Sequence, residues 1–402
     1  MRQLITFLGR AQTTYRTAVY RFHGENLPES RFFGLALARR LDPGRLIVLG
    51  TAGSMWDALL SDLLQSEPTS EHYALMDAAN AGTVSARHLG LVRPLIEQAI
   101  GGIPVQLQLI SRAETFGEQM SILRTLAEAV AEGDEVHIDV THGFRHLPML
   151  GLAAARFLQR VRKAQVRGIY YGALDMTQDG ITPVLELDGL AHLLGWVESL
   201  AAYDASADAG ALADSLAGDG LSAGAVGKLR KAASSARNLD VEPAARSLRQ
   251  LLDEFHHLPS PAVELFEPEL RDRLAWTSKG ERWQREWALA EQYLKRRDYV
   301  RAALLTSEAI VTRACQEYGR DPSARAQRDE ARSRLHNNPA FGRLAHIRNA
   351  FAHANSDQDT AANRRAADLI KDPEKLDKAL HQLQRELATA SLPIVQAAAN
   401  PS

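Results

Sequence analysis

The sequence predicts a chain in two parts, an α/β domain with a parallel sheet followed by an all-α domain. Three observations carry that reading. Over the first 188 residues, short β-type runs alternate with longer amphipathic stretches, the pattern of strands joined by crossover helices. Beyond residue 188 the strand runs stop and apolar residues recur only at helical spacing. The length, 402 residues, is at least twice that of a typical domain of roughly 100 to 200 residues.

Taken in order, the predicted strands are LITFL (4–8), RLIVL (45–49), PVQLQLI (104–110), EVHIDV (135–140) and RGIYYG (167–172). Helical patterns lie between them over 32–41, 55–64, 91–99, 116–131 and 147–161, which makes the sheet parallel and bounds the first domain at 1–188. Residues 189–227 are assigned as a connector. Apolar residues fall at helical spacing over 190–200 and 211–216, and the Ala-, Gly-, Ser- and Asp-rich composition of 201–227 suits either a helix or a linker. The helical domain, 228–402, carries helix patterns at 243–255, 280–296, 299–318, 339–354 and 373–398, with prolines and glycines falling between them.

Composition narrows the function classes. Hydrophobic residues at 45% and charged residues at 24% are the balance of a globular protein with sizeable cores, which excludes disordered and collagen-like chains. The 47 basic and 49 acidic residues nearly cancel, so any nucleic-acid contact must come from a local patch rather than a bulk field. Cys315 is the single cysteine; it forbids an intramolecular disulfide and a multi-thiolate zinc site, and it fits a reducing cytoplasm. The opening MRQLITFLGR is too short for a signal segment, and no run of eighteen apolar residues occurs, so no membrane association is expected.

In an open α/β sheet, ligands bind beyond the carboxyl ends of the strands. Three strands end there in small, polar or basic residues: Gly9, Arg10, Gln12 and Thr13 after the first, Thr51, Ala52, Gly53 and Ser54 after the second, and Thr141, His142, Gly143, Arg145 and His146 after EVHIDV. Glycine admits close backbone approach, hydroxyls and free N–H groups at a helix start suit phosphate oxygens, and arginine adds a charge-assisted partner. Pro148 sits where a first-turn proline belongs, which puts 141–146 at the entrance of the following helix. The implied ligand is anionic and nucleotide-like, and neither the dinucleotide fingerprint nor the P-loop spacing is present. His137, Asp139 and Thr141 alternate along one face of what should be an apolar central strand. Metal is one reading of that face, with His137, Asp139, His142 and His146 as ligands of a hydrolase. Strand alternation weighs against it, since the last two sit in or past the turn; no metal is assigned.

The run Asp139, Val140, Thr141, His142, Gly143 is similar to the signature of the CRISPR-associated DxTHG-motif family, whose N-terminal domain is a CARF domain. The first crest and IVLGTAGSMWDAL (47–59) resemble the same family's other ligand-facing segments. The resemblance covers roughly the first half of the chain. It implies a Rossmann-like domain that dimerises and binds a cyclic oligoadenylate across its two-fold axis, with cyclic tetra-adenylate the expected activator and Asp139 supporting the site from behind.

The usual C-terminal partner of that domain is a HEPN ribonuclease, which carries an arginine and, a few residues later, a histidine. Arg16 with His23, Arg249 with His256 and Arg348 with His353 all satisfy this bare pattern. Arg16 lies in the α/β half, and the FHHLP ending after Arg249 resembles nothing in the family. Arg348, Asn349 and His353, with small or apolar residues between, match the arrangement on a late helix. The chemistry stands by itself: RNA brings its own 2′-hydroxyl nucleophile, so His353 is expected to move protons, Arg348 to stabilise the phosphorane and Asn349 to position either partner. Five positions along a helix is roughly 140° of rotation, so one helix makes an incomplete site that two copies would complete. Arg325, Arg328, Arg332, Arg334, Arg343, Arg364 and Arg365 are candidates for a local basic patch.

The resulting expectation is a cytoplasmic homodimer or higher oligomer with no bound cofactor: a cyclic-oligoadenylate-activated, metal-independent endoribonuclease of type III CRISPR defence. It would cut single-stranded RNA to a 2′,3′-cyclic phosphate and a 5′-hydroxyl, without acting on DNA. The alternatives are a non-enzymatic ligand-responsive sensor that binds nucleic acid or a partner, and a metal-dependent phosphoesterase.

Overall fold

A computed structural model of the chain describes residues 1–10, 15–63, 69–143, 146–352 and 360–390. It divides into two compact units, Met1–His192 and Leu193–Ser402.

The first unit is built on a sheet of eight strands: β1 (Arg2–Leu8), β2 (Val19–Phe22), β3 (Glu25–Asn26), β4 (Arg45–Gly50), β5 (Val105–Leu109), β6 (Glu135–Asp139), β7 (Gln165–Gly172) and β8 (Ile181–Glu186). Their spatial order is β3-β2-β8-β7-β6-β1-β4-β5. β5, β4, β1, β6 and β7 run parallel, so the five predicted strands are all present and their carboxyl ends share one edge. Beyond β7 the sheet is mixed: β8 is antiparallel to β7, β2 is parallel to β8 and β3 is antiparallel to β2. These three strands escape the sequence pattern because β2 and β3 are four and two residues long and β8 contains Pro183. After β1 the chain forms the far-edge pair β2 and β3, then crosses to β4 and β5 on one side of β1 and returns to β6 on its other side, which places the topological switch point at β1 and β6.

Strand alternation sorts the central side chains into two cores. Leu4, Leu8, Leu46 and Val48 meet α1 (Phe33–Leu41), α2 (Trp56–Leu63), α3 (Ser70–Ala81) and α4 (Ala86–Ala99). Ile5, Phe7, Ile47, Leu49, Val136 and Ile138 meet α5 (Phe116–Ala129) and α6 (Leu147–Arg160). With both faces covered, the strands read as near-continuous apolar runs. α3 was not foreseen. It buries only His72, Leu75, Ala78 and Ala79, a weak stripe, and its limits are set by ends: Thr69 Oγ1 accepts from the His72 N–H, and Gly82 closes the helix at φ +68°.

The second unit is helical throughout its described residues and shares one core. It comprises α7 (Asp188–Ser206), whose first turn belongs to the first unit, α8 (Ala213–Gly218), α9 (Ala223–Arg237), α10 (Val241–Phe255), α11 (Pro261–Arg273), α12 (Arg282–Lys295), α13 (Tyr299–Glu317), α14 (Arg325–Leu335), α15 (Pro339–Ala352), α16 (Ala361–Ile370) and α17 (Pro373–Thr389). The 201–227 stretch is largely helical and buries Tyr203, Leu212 and Leu216 in this core. The predicted helix at 373–398 is observed to Thr389, and residues from 391 on lie outside the described set. None of the helices among the described residues is long and apolar enough to cross a membrane.

Candidate ligand site and candidate catalytic helix

The carboxyl ends of β1, β4, β5 and β6 converge on a pocket of about 650 Å³. Its wall contains Arg10 beyond β1, Thr51, Ala52 and Gly53 beyond β4, and His146 at the start of α6. Each of these was expected from sequence. Asn80, Ala81 and Gly82 at the end of α3, and Ile110, Ser111, Arg112 and Glu114 beyond β5, complete it and were missed. The second group left one readable signal: SRAET after β5 is a fourth polar, basic crest on the same edge. The first group left none, because α3 itself was not legible.

Local hydrogen bonds hold the wall in place. Ser54 Oγ donates to the Leu8 carbonyl at 2.6 Å and accepts from the Thr51 N–H at 2.9 Å, which ties the second crest to the end of β1. Trp56 Nε1 donates to the Thr51 carbonyl at 2.8 Å. Arg10 reaches the Ala79 carbonyl at 3.4 Å, a cation against the carbonyl end of α3. His146 Nε2 donates to the Arg112 carbonyl at 2.8 Å and fixes the fourth crest against the entrance of α6. Two guanidinium groups, Arg10 and Arg112, thus border a cavity with the N-terminus of a 14-residue helix at its side, and Glu114 lies 3.8 Å from Arg112. Ser111 Oγ is buried and has no hydrogen-bond partner among the described residues. This arrangement suits an anionic ligand that also carries hydrogen-bonding edges.

Behind the wall, the Asp139–Gly143 run does structural chemistry. Asp139 is fully buried; its carboxylate accepts from Thr6 Oγ1 at 2.6 Å and from the Thr141 N–H at 2.8 Å. Burial pushes its pKa up to about 6, against those two hydrogen bonds. Thr141 Oγ1 accepts from the Gly172 N–H at 2.8 Å and joins the end of β6 to β7. His142 is buried beside Tyr15 and Phe32, and its Nε2 accepts from the Phe33 N–H at 3.2 Å, capping α1, which has no side-chain cap of its own. Burial lowers its pKa to about 4, so the ring is neutral at pH 7. Gly143 has φ +135°, and a Cβ on Gly9 would lie 2.6 Å from its nitrogen, so the first and third crests touch backbone to backbone only because both are glycine. Gly34 of α1 likewise packs directly on Thr6 and Asp139.

Of the sequence-predicted ligand residues, then, the pocket wall holds Arg10, Thr51, Ala52, Gly53 and His146. Gly9, Ser54, Thr141, His142 and Gly143 stand behind it, and Gln12, Thr13 and Arg145 lie outside the described residues. The alternating polar face on β6 has its reason in the same network: His137 bonds Tyr170 through Nδ1 at 3.1 Å, and Asp139 bonds Thr6 and Thr141. With those atoms engaged, His137, Asp139 and His142 do not converge as metal ligands, and no group of three or more His, Cys, Asp or Glu among the described residues is arranged to hold a metal.

In the second unit, α15 buries Leu344, Ile347 and Ala350 and carries Arg348 half-buried and Asn349 exposed, away from that apolar stripe. His353 lies outside the described residues. The expected basic patch is largely neutralised in place. Arg328 and Arg332 both pair with Glu308, Arg334 pairs with Glu330, Arg343 with Glu386, and Arg325 lies 3.9 Å from Asp329. These pairs follow from glutamates and aspartates interspersed among the arginines.

Comparison with known proteins adds two findings. Residues 3–175 match the family model described as the CARF domain of the CRISPR system endoribonuclease Csx1. Over 378 residues the chain is 24% identical to the CRISPR-associated protein MJ1674 of Methanocaldococcus jannaschii, an alignment that covers 85% of this chain and 59% of that protein. The chain therefore spans about three fifths of the length of that curated relative.

Proposed function

With residues 3–175 forming a CARF domain of the Csx1 family of CRISPR-associated proteins, we propose that this chain is a cyclic-oligoadenylate-activated endoribonuclease of type III CRISPR defence. The observation that carries the reading is the pocket at the carboxyl edge of β1, β4, β5 and β6. It offers Arg10 and Arg112 for phosphates, backbone at 51–53 for close approach, and Ser111, Asn80 and His146 for base and ribose edges. A cyclic oligonucleotide is anionic, rich in such edges and internally symmetric, so two copies of the unit related by a two-fold axis would share one ring. Cyclic tetra-adenylate is the activator we assign. Its effect requires that it bind one arrangement of the paired helical units more tightly than another. The boundary at residue 188, the 189–227 connector as transmitter and the HEPN character of 228–402 belong to this same proposal.

Cleavage is assigned to α15. The 2′-oxygen of the substrate attacks the adjacent phosphorus and loses its proton to a general base, while the leaving 5′-oxygen gains one. His353 moves these protons, since an imidazole near pH 6.5 has both forms available at neutral pH. Arg348 stabilises the dianionic phosphorane, and Asn349 holds the phosphate or the histidine. The products are a 2′,3′-cyclic phosphate and a 5′-hydroxyl, and every group the step needs is a side chain of the protein or an atom of the RNA. Arg348 and His353 are five positions apart in the sequence, and we assign the active form as a dimer in which two copies of the pair meet.

The test is cleavage of a labelled single-stranded RNA by the purified protein, with and without cyclic tetra- or hexa-adenylate, in excess chelator. Stimulated cleavage that survives the chelator is expected. Failure of every ring size to stimulate, or loss of cleavage on chelation, contradicts the reading.

A further inference from the structure

A second cavity, of about 550 Å³, lies among α15, α16 and α17, apart from Arg348 and Asn349. Its size falls within the roughly 300–1,000 Å³ usual for small-molecule sites. The floor is apolar and low: Ile347, Ala366, Leu369 and Leu383 leave a slot between three helices. The rim carries two guanidinium groups, Arg343 and Arg365, beside His346 and Glu386. Arg343 is committed to Glu386, whereas Arg365 is exposed and makes no ion pair among the described residues. His346 Nδ1 donates to Asn363 Oδ1 at 2.7 Å, which orients the ring and turns Nε2 away from that bond.

We propose that this cavity is a nucleotide subsite for the RNA strand, with one base in the apolar slot and its phosphate on Arg365. A planar, uncharged base matches a slot floored by alanine and branched aliphatic side chains, and a guanidinium at the mouth with no ion pair among the described residues matches one phosphate. His346 Nε2 is then an acceptor for a ribose hydroxyl. Arg343 and Arg348 are five residues apart on α15, about 7.5 Å of rise and roughly 140° of rotation, so the cavity and the proposed catalytic arginine lie on different faces of the same helix. The inference rests on the ribonuclease reading for its substrate, but the subsite is testable without cleavage.

The experiment measures binding of a fluorescein-labelled 2′-O-methyl RNA decamer, which cannot be cut, to the full-length protein by anisotropy at several salt concentrations. Arg365→Ala removes the phosphate partner, and Ala362→Trp, at an exposed lining position, fills the slot without touching the core. Arg230→Ala, on α9 and outside the lining, removes the same charge elsewhere; it breaks only an exposed pair with Asp214. Arg365→Ala is expected to weaken binding on the order of ten-fold and to lower the slope of log affinity on log salt by about 0.7. Ala362→Trp should weaken binding with the slope unchanged, and Arg230→Ala should do neither. In cleavage assays both lining variants should raise KM while kcat stays near wild type. Equal losses in Arg365→Ala and Arg230→Ala, or unaltered binding in Ala362→Trp, would overturn the proposal. So would binding of adenosine monophosphate as tight as that of the decamer, which would point to a free-nucleotide site. Failure of the wild type to cut RNA sinks the ribonuclease reading while the anisotropy still decides the subsite.

Discussion

Asp139→Asn should change the acid response of the first unit in a direction and by an amount that burial dictates. Asp139 is fully buried and its pKa is raised from 3.8 to about 6, with desolvation outweighing the hydrogen bonds from Thr141 and Thr6. A group raised in the folded state contributes stability that is fully present below its unfolded pKa and is lost as pH rises through its folded pKa. From 3.8 to about 6, at roughly 1.4 kcal/mol per pH unit, the loss comes to about 3 kcal/mol. Asparagine keeps the shape and does not titrate. The stability of Asp139→Asn relative to wild type should therefore improve by about 3 kcal/mol between pH 3.8 and 6 and stay level above pH 6. Urea unfolding at a series of pH values, read by pulsed hydrogen exchange on peptides from β1 and β6, reports this unit alone. A difference between variant and wild type that is constant across the range, or that moves against asparagine as pH rises, refutes the claim that desolvation governs Asp139.

Other predictions concern the same edge and the second unit. His142 titrates with the opposite sign: its folded pKa is depressed to about 4, so wild-type stability is full above pH 6.5 and falls by about 3 kcal/mol toward pH 4. His142→Phe should abolish that acid loss yet cost about 1–3 kcal/mol at pH 7, because the Phe33 N–H loses its acceptor; the same unfolding series reads both effects. Gly9→Ala should destabilise by about 1–3 kcal/mol, since its Cβ meets the Gly143 backbone at 2.6 and 2.7 Å, and calorimetry should show the first unit melting earlier. Arg348→Ala and His353→Ala should each lower activated RNA cleavage at least a hundred-fold while leaving activator binding by calorimetry unchanged.

How much of this was legible depends on the scale of the signal. The parallel core was readable because β4 is apolar on both faces, β1 and β6 carry continuous apolar residues on at least one, and their crests break abruptly into glycine and hydroxyl residues. The mixed edge was not, because β2 and β3 are too short for alternation to register and Pro183 argues against a strand. Within the site, arginine and glycine after a strand pointed to Arg10 and Gly53, which line the cavity. The same signal could not separate wall from support: Ser54 and His142 carry ligand-like chemistry, but their partners are the Leu8 carbonyl and the Phe33 N–H, both set by tertiary packing. Asn80 was invisible because its helix is defined by its ends rather than by a stripe. The polar face of β6 was correctly singled out, and its explanation required seeing Thr6, Gly34 and Tyr170 close around it.

The central claim is that the pocket at the sheet edge controls cleavage by the helical unit. It is tested most directly by titrating cyclic tetra-adenylate into wild type and Arg112→Ala while measuring the RNA cleavage rate. Arg112 borders the pocket with its side chain largely in solvent, so its removal costs a ligand contact and little stability. The account predicts half-maximal activation displaced to higher activator by on the order of ten-fold, with the wild-type rate recovered at saturation. Activation curves that superimpose, or cleavage that proceeds equally without activator, would contradict it.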